Sequence, residues 1–206
     1  MNAPLLQLDY AQEQIALTLL QAMRFDLYET LPTPEGCAYR RDLGTDHPTI
    51  EAECGVLVFS RIRYFPDRTF DLLDEGEAGG VLSSIIEVFD ADAVTTIDLC
   101  AWPLHRPDKI ATALRRADGL GMWRVANPVS YFAGQALRVY RTPESWLRSH
   151  CQGVVILNPA SAPHWLAAAP GRLLAEDLAH GRELARMLHP YFDPRRILAP
   201  LSREAA

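Results

Sequence analysis

The sequence predicts a single-domain α+β protein with a mixed β-sheet, an N-terminal helix, a central antiparallel hairpin and a C-terminal alternation of strands and helices. Three patterns predict this class. An apolar repeat of helical period lies near the N-terminus, two β-branched runs are separated by only four residues, and strand-like and helix-like segments alternate after residue 136. Of the 206 residues, 49% are hydrophobic and 22% charged, as in globular domains. Because no linker or repeat divides the chain, we expect one domain over residues 1–206.

The N-terminal third predicts a helix, a loop and a strand. Over residues 9–29 apolar side chains recur at helical spacing, which places Ile15, Leu19 and Met23 on the buried face, with Asp9 as the helix cap. Residues 32–50 are rich in Pro, Gly, Thr and Asp and predict a loop. Residues 56–65 are β-branched and aromatic and predict a strand.

The centre of the chain predicts a hairpin. Residues 82–89 and 94–102 are strand-like, and the four residues between them are too few for a parallel crossover. An acidic stretch at 71–80, which ends in two glycines, predicts a flexible loop before the hairpin. Residues 107–117 predict a helix that begins at Pro107.

The last third predicts alternating strands and helices. The apolar runs 136–141, 153–157 and 172–175 predict strands. The intervening helices are signalled by their caps, because Thr142 precedes a proline and Asp177 precedes an amphipathic segment. Residues 199–206 predict a frayed C-terminus.

Charge and cysteine usage narrow the class of protein. The net charge is −6, which argues against general affinity for nucleic acid. Lys109 is the single lysine among 20 basic residues, a bias typical of G+C-rich bacterial coding. The four cysteines form no C-x-x-C pair, so we expect reduced thiols packed as small hydrophobic side chains. With no secretory signal and no apolar run long enough to span a membrane, we expect a cytoplasmic protein.

Common catalytic motifs are absent from the sequence. No phosphate-binding G-x-x-x-x-G-K-[ST] loop, dinucleotide-binding G-x-G-x-x-G turn or G-x-S-x-G nucleophile elbow is present. Cys151 follows His150 directly, but neighbouring residues on a helix point about 100° apart, so the histidine is not placed to activate the thiol.

Acidic residues of the predicted hairpin form one candidate centre. Glu87 and Asp98 lie on the two strands, near a turn that contains Asp90 and Asp92. Carboxylates that converge on a sheet can hold Mg²⁺ for phosphoryl transfer. Glu87 and Asp98 are therefore candidate catalytic residues of a nuclease or phosphoryl-transfer enzyme, with Asp90 and Asp92 as candidate metal ligands.

Arginines beside aromatic residues form a second candidate. Arg61 and Arg63 alternate along one strand, and Arg138 and Arg141 flank Tyr140 on another. Arginine with an interleaved aromatic ring can hold a single-stranded nucleic acid by charge and stacking.

The leading prediction is a soluble bacterial interaction or accessory domain that lacks enzymatic chemistry and a cofactor. Its partner is then another protein or a second copy of the chain. A metal-dependent phosphoryl-transfer enzyme and a nucleic-acid-binding module are the alternatives, and a membrane is not expected as a partner.

Overall fold

The computed structural model describes residues 3–29, 32–44, 54–73 and 77–200, with the backbone alone described for residues 3–11. It confirms an α+β fold, but the strands form two five-stranded sheets where the sequence predicted one. In the first sheet, with order β2-β1-β3-β4-β5, all neighbours are antiparallel. Its strands are β1 (Leu57–Tyr64), β2 (Phe70–Leu72), β3 (Val81–Phe89), β4 (Thr96–Pro103) and β5 (Ala111–Thr112).

The second sheet is mixed and comes from the C-terminal half. In the order β10-β9-β7-β8-β6 only the β6–β8 pair is antiparallel. Its strands are β6 (Gly119–Leu120), β7 (Leu137–Tyr140), β8 (Val154–Ile156), β9 (Leu173–Leu174) and β10 (Ile197–Leu198). The helices are α1 (Ala3–Glu29), α2 (Pro34–Leu43), α3 (Pro143–Arg148), α4 (Ala162–Leu166) and α5 (Leu178–Leu188).

The predicted hairpin is confirmed as β3 and β4. One face of this hairpin is covered by α1, through a cluster that contains Leu20, Met23 and Leu27. The other face packs into a core shared by both sheets, in which Trp102 of the first sheet and Trp146 beside the second are both fully buried. Because both faces of the hairpin are covered, most successive residues of β3 are buried, and buried and exposed residues do not alternate along this strand.

A disulfide corrects the expectation of four reduced thiols. Cys54, just before β1, is bonded to Cys151, which follows α3, across 97 residues of sequence. Both cysteines are buried in the shared core, so the bond links the segments that lead into β1 and β8. Cys37 and Cys100 are free. Sequence spacing could not reveal this pair because the chain brings the two cysteines together only through its tertiary fold.

Helix α2 lies where the sequence predicted a loop. Thr33 caps it by accepting a hydrogen bond from the Gly36 N–H at 3.0 Å, and Pro34 occupies the first turn. Gly36 lies against the ring of Phe59, with no room for a Cβ atom. Packing on the sheet therefore overrides the low helical propensity of this segment. The remainder of the predicted loop, residues 45–50, lies outside the described ranges.

The helix predicted at residues 107–117 is not formed. This segment contains turns and the short strand β5, and Arg115 has a positive φ of 58°. Its backbone N–H groups bind the carboxylate of Asp98, which replaces the hydrogen bonds of a helix. Arg115 and Arg116 therefore lie on a loop.

Three further boundaries differ from the sequence predictions. Helix α1 begins at Ala3, so Asp9 is not its cap, and Ile15 and Leu19 are exposed at 68% and 48%. Strand β2 includes the first residues of the stretch 71–80, which the sequence predicted as a flexible loop. Residues 74–76 of that stretch lie outside the described ranges. Most of the predicted frayed C-terminus, residues 201–206, also lies outside them. No helix in the described ranges is long and apolar enough to cross a membrane.

Candidate functional site

Glu87 lies on the face of the hairpin that α1 covers. Its Oε1 is 2.5 Å from Nε of Arg24, and the hydroxyl of Thr96 donates to it at 3.4 Å. The cavity beside this pair is lined by Tyr28 as well and has a volume of about 10 Å³, space for about one water molecule. Glu87 is thus a partner for α1 and does not face a space that a substrate could enter.

Asp98 has a different role, on the opposite face of the same hairpin. Its buried carboxylate accepts four backbone N–H groups, and burial raises its pKa although these hydrogen bonds oppose the shift. The donors are Leu99, Leu114, Arg116 and Ala117, at 2.7 to 3.1 Å. Asp98 therefore fixes the loop after β5, and the structure does not bring it together with Glu87.

Asp90 and Asp92 shape the hairpin turn. Asp92 accepts hydrogen bonds from the backbone N–H groups of Val94 and Thr95 at 2.8 Å, and the hydroxyl of Thr95 lowers its pKa. Asp90 accepts from the N–H of Ala91 at 2.7 Å. Within the described part of the chain, no group of three His, Cys, Asp or Glu side chains is arranged to hold a metal ion.

The predicted arginine faces lie on different sheets. Arg63 of β1 pairs with Glu77, and Arg61 donates to the Gly80 carbonyl at 3.4 Å. Arg141, after β7, pairs with two carboxylates, those of Asp177 at 2.6 Å and Glu183 at 3.1 Å.

Tyr140 and Arg138 complete the second arginine face on β7. The ring of Tyr140 is buried in the shared core and is not available to stack on a base. Arg138 is exposed beside it. The structure therefore does not bring these four arginines and the Tyr140 ring together into one site.

A different set of basic residues lines the groove between the two sheets, which has a volume of about 570 Å³. We call it the cationic groove. The turn after β1, the loop between β4 and β5, and the carboxyl end of β8 form its walls. Its polar and aromatic lining residues are Tyr64, Phe65, Arg68, Arg106, Asp108 and Lys109, and Ile110, Ile156, Leu157 and Pro159 are among the apolar ones.

The turn from Phe65 to Thr69 positions Arg68. The Phe65 N–H donates to the Thr69 carbonyl at 2.9 Å, and Asp67 accepts from the Thr69 hydroxyl at 2.7 Å. Arg68 has a φ of 65°, a left-handed conformation that costs a non-glycine residue about 1–2 kcal/mol. Its carbonyl accepts from the Thr112 N–H at 3.0 Å, which ties the turn to β5.

The loop between β4 and β5 supplies the other two basic residues. The Arg106 N–H bonds to the Pro103 carbonyl, and the Lys109 N–H bonds to the Arg106 carbonyl, both at 3.0 Å. These successive turns bring Lys109 Nζ to 4.4 Å from the centre of the Tyr64 ring. The Tyr64 hydroxyl lies 3.0 Å from that of Ser83, and burial raises its pKa, so the ring is fixed and neutral.

The described residues that line the groove carry a net positive charge, because Arg68, Arg106 and Lys109 stand against a single carboxylate, that of Asp108. Among the described residues, the side chains of Arg68, Arg106 and Lys109 make no hydrogen bond or ion pair, and all three are exposed. The ring of Phe65 beside them is 40% exposed. Three unpaired basic groups around a concave surface raise the local concentration of anions.

One wall of the groove belongs to the second sheet, since Ile156 and Leu157 lie at the carboxyl end of β8. Sequence analysis missed this site because its residues come from three separate turns. The one available signal was Lys109, the single lysine of an arginine-rich chain.

No protein-family model, curated protein sequence or solved structure matches the chain.

Proposed function

We propose that the protein is a binding domain that holds a single-stranded nucleic acid in the cationic groove. The observation that supports this most is the set of three exposed basic side chains with no acidic partner among the described residues. Outside the groove, Arg63, Arg141 and Arg195 are ion-paired with carboxylates. Arg138, Arg182 and Arg186 are exposed without an ion pair among the described residues, so what distinguishes the groove is that three such basic groups line one concave surface. A phosphate backbone would supply the missing anions in the groove.

Exposed aromatic surface favours a nucleic acid over a simple anion. Phe65 presents its ring at the edge of the groove, next to Tyr64 under Lys109. Grooves that combine basic side chains with aromatic rings hold single strands, because every base has a face that can stack. The net charge of −6 repels polyanions from the rest of the surface, so binding is confined to this groove.

The other roles expected from the sequence have less geometric support. A phosphoryl-transfer centre would need Glu87 and Asp98 to share one face of the sheet, and they are on opposite faces. A bacterial origin, which rests on the arginine-rich composition, is kept here as a proposal. A cytoplasmic location, which rested on free cysteines and the absence of a secretory signal, is also only a proposal, and the Cys54–Cys151 disulfide counts against it because disulfides are rare in cytosolic proteins.

Fluorescence anisotropy with a labelled twelve-residue oligothymidylate at low salt tests the proposal. Replacing Arg106 or Lys109 with Gln should weaken binding, because each removes one phosphate contact. Phe65→Ala should weaken it about 5- to 150-fold, the loss of one stacked base, whereas Phe65→Tyr should retain it.

Arg195→Gln is the control, because Arg195 is also an exposed arginine, in the short 3-10 helix Pro194–Arg196, and lies outside the groove. It should leave affinity unchanged. Absence of binding by the wild type at low salt, or equal losses in Arg106→Gln and Arg195→Gln, would overturn the proposal.

A further inference from the structure

Two neighbouring parallel strands of the second sheet, β7 and β9, send the chain in opposite directions. After β7 the chain passes through α3 to β8, which lies on one side of β7 in the sheet. After β9 it passes through α5 to β10, which lies on the opposite side, beyond β9. In open sheets of parallel strands, such a reversal leaves a crevice outside the carboxyl ends of the two strands, and ligands bind there.

The two connections also lie on opposite faces of the second sheet. Val139 and Tyr140 are successive residues of β7, so their side chains point to opposite faces, and they belong to different hydrophobic clusters. Helix α3 contributes Trp146 to the cluster that contains Tyr140, and α5 contributes Leu184 to the cluster that contains Val139. The loops that leave β7 and β9 therefore diverge from each other.

A cavity of about 330 Å³ lies at the carboxyl ends of these strands. It is lined by residues 138–140 of β7, by residues 174–176 at the end of β9, and by Pro200, which follows β10. Small-molecule sites have volumes of about 300–1,000 Å³, so the cavity suits a small ligand. It shares no lining residue with the cationic groove and is a separate site.

Arg138 brings a positive charge to this cavity. It is paired with Leu174 in the sheet register, and Glu176 follows two residues later, so a cation and a carboxylate line the same cavity from neighbouring strands. The two side chains do not pair with each other. Among the described residues, the guanidinium of Arg138 makes no hydrogen bond or ion pair, and the side chain is exposed.

The carboxylate of Glu176 also has no cationic partner among the described residues. Its Oε2 accepts the backbone N–H of Arg141 at 3.0 Å, whereas the guanidinium of Arg141 is paired with Asp177 and Glu183. Nδ1 of His180 is 3.8 Å from the same oxygen. This nitrogen accepts the backbone N–H of Glu176 at 3.2 Å, so it carries no proton and the ring is neutral.

We propose that this cavity binds a small zwitterion, namely a free amino acid with an apolar side chain. The guanidinium of Arg138 holds the ligand carboxylate, and the carboxylate of Glu176 holds the ligand ammonium group. Leu174 and Pro200 provide apolar surface for the ligand side chain. A ligand with one charge would leave Arg138 or Glu176 unpaired, and a polyanion would be repelled by Glu176.

Isothermal titration calorimetry of the full chain with L-leucine tests this proposal. L-Leucine should bind in a saturable manner at one site per chain. Leucinamide, which lacks the carboxylate, and isocaproate, which lacks the ammonium group, should each bind about tenfold more weakly or worse, because each loses a charge-assisted hydrogen bond.

Two variants assign each ligand charge to its residue. Arg138→Gln should weaken binding of L-leucine about tenfold and leave binding of leucinamide unchanged, because leucinamide has no carboxylate for Arg138 to hold. Glu176→Gln keeps an oxygen that can accept the Arg141 N–H. It should weaken binding of L-leucine to a similar degree and leave binding of isocaproate unchanged.

Arg186→Gln is the matched control, because Arg186 is also exposed without an ion pair among the described residues, lies on α5 and does not line the cavity. It should bind L-leucine as the wild type does. Absence of saturable binding of L-leucine, equal affinity for L-leucine, leucinamide and isocaproate, or equal losses in Arg138→Gln and Arg186→Gln would overturn the proposal.

Discussion

Glu87 and Asp98 lie on neighbouring strands of one hairpin but on opposite faces of the sheet. Glu87 is paired with Leu99, and Asp98 is paired with Val88, so the two acids are offset by one residue. Since successive side chains of a strand alternate between faces, this offset sends the carboxylates in opposite directions. One attaches α1 to the hairpin, and the other fixes the loop after β5.

Asp98 should be among the residues most important for stability. Asp98→Ala should lower the free energy of unfolding by about 4 kcal/mol, because each buried N–H left without an acceptor costs about 1–3 kcal/mol. Urea denaturation measures this loss. Asp90→Ala, the same change at an exposed position of the hairpin, should cost less than about 0.5 kcal/mol. Equal costs for both variants would contradict the role assigned to Asp98.

A partly buried hydrogen-bond chain should anchor helix α2. Trp102 Nε1 donates to the Tyr39 hydroxyl at 3.1 Å, which donates to Glu144 at 3.0 Å. Tyr39→Phe leaves the buried indole N–H without its acceptor and should cost about 1–3 kcal/mol in thermal or urea unfolding. Tyr191→Phe, at a residue that is 59% exposed, should be nearly neutral. A neutral Tyr39→Phe would show that this chain contributes nothing to stability.

The Cys54–Cys151 disulfide should contribute strongly to stability. It closes a loop of 97 residues, for which the chain-entropy relation gives about 4–5 kcal/mol. In urea denaturation, adding a reductant should lower the free energy of unfolding of the wild type by this amount. The reductant should not change the free energy of unfolding of a Cys54→Ser, Cys151→Ser double variant.

Thiol titration in denaturant should find two free thiols, Cys37 and Cys100, in protein purified without reductant. Cys37→Ser should lower that number by one and leave the effect of reduction unchanged. Four free thiols would contradict the Cys54–Cys151 disulfide and would agree with the sequence-based expectation of four reduced cysteines.

His180 should make the protein less stable in mild acid. Burial and then the nearby Arg141 lower its pKa below the ordinary 6.5, although Glu176, Glu183 and Asp177 oppose the shift. Below pH 6.5 the unfolded chain therefore takes up a proton that the folded chain does not, and stability falls as the pH falls, by at most about 1.4 kcal/mol per pH unit.

Unfolding free energies at pH 7.5 and 5.5 measure this effect. His180→Gln should show a smaller loss between the two values than the wild type. His164→Gln, at an exposed histidine, should show the wild-type loss. An unchanged loss in His180→Gln would contradict this role of His180.

Elements with local signals were predicted well from the sequence. Thr142 and Asp177 accept the backbone N–H of Ser145 and His180, as their positions before α3 and α5 indicated. The hairpin was predictable because its two strands are separated by a short turn. These features depend on residues within a few positions of one another.

Features that depend on distant residues were not predictable in this way. The loop at 113–117 follows from Asp98, about sixteen residues earlier, and α2 depends on Phe59 and Trp102 of the sheet. The cationic groove combines the turn after β1 with a loop some forty residues later. The hydrophobic periodicity of a sequence does not indicate which distant residues will be in contact.

The salt dependence of single-strand binding tests the central claim most directly. Three basic side chains that neutralise phosphates should give a slope of about −2 in a plot of log affinity against log salt, and Lys109→Gln should reduce it to about −1.4. The same slope in wild type and Lys109→Gln, or no binding at the lowest salt, would contradict a nucleic-acid site in the cationic groove.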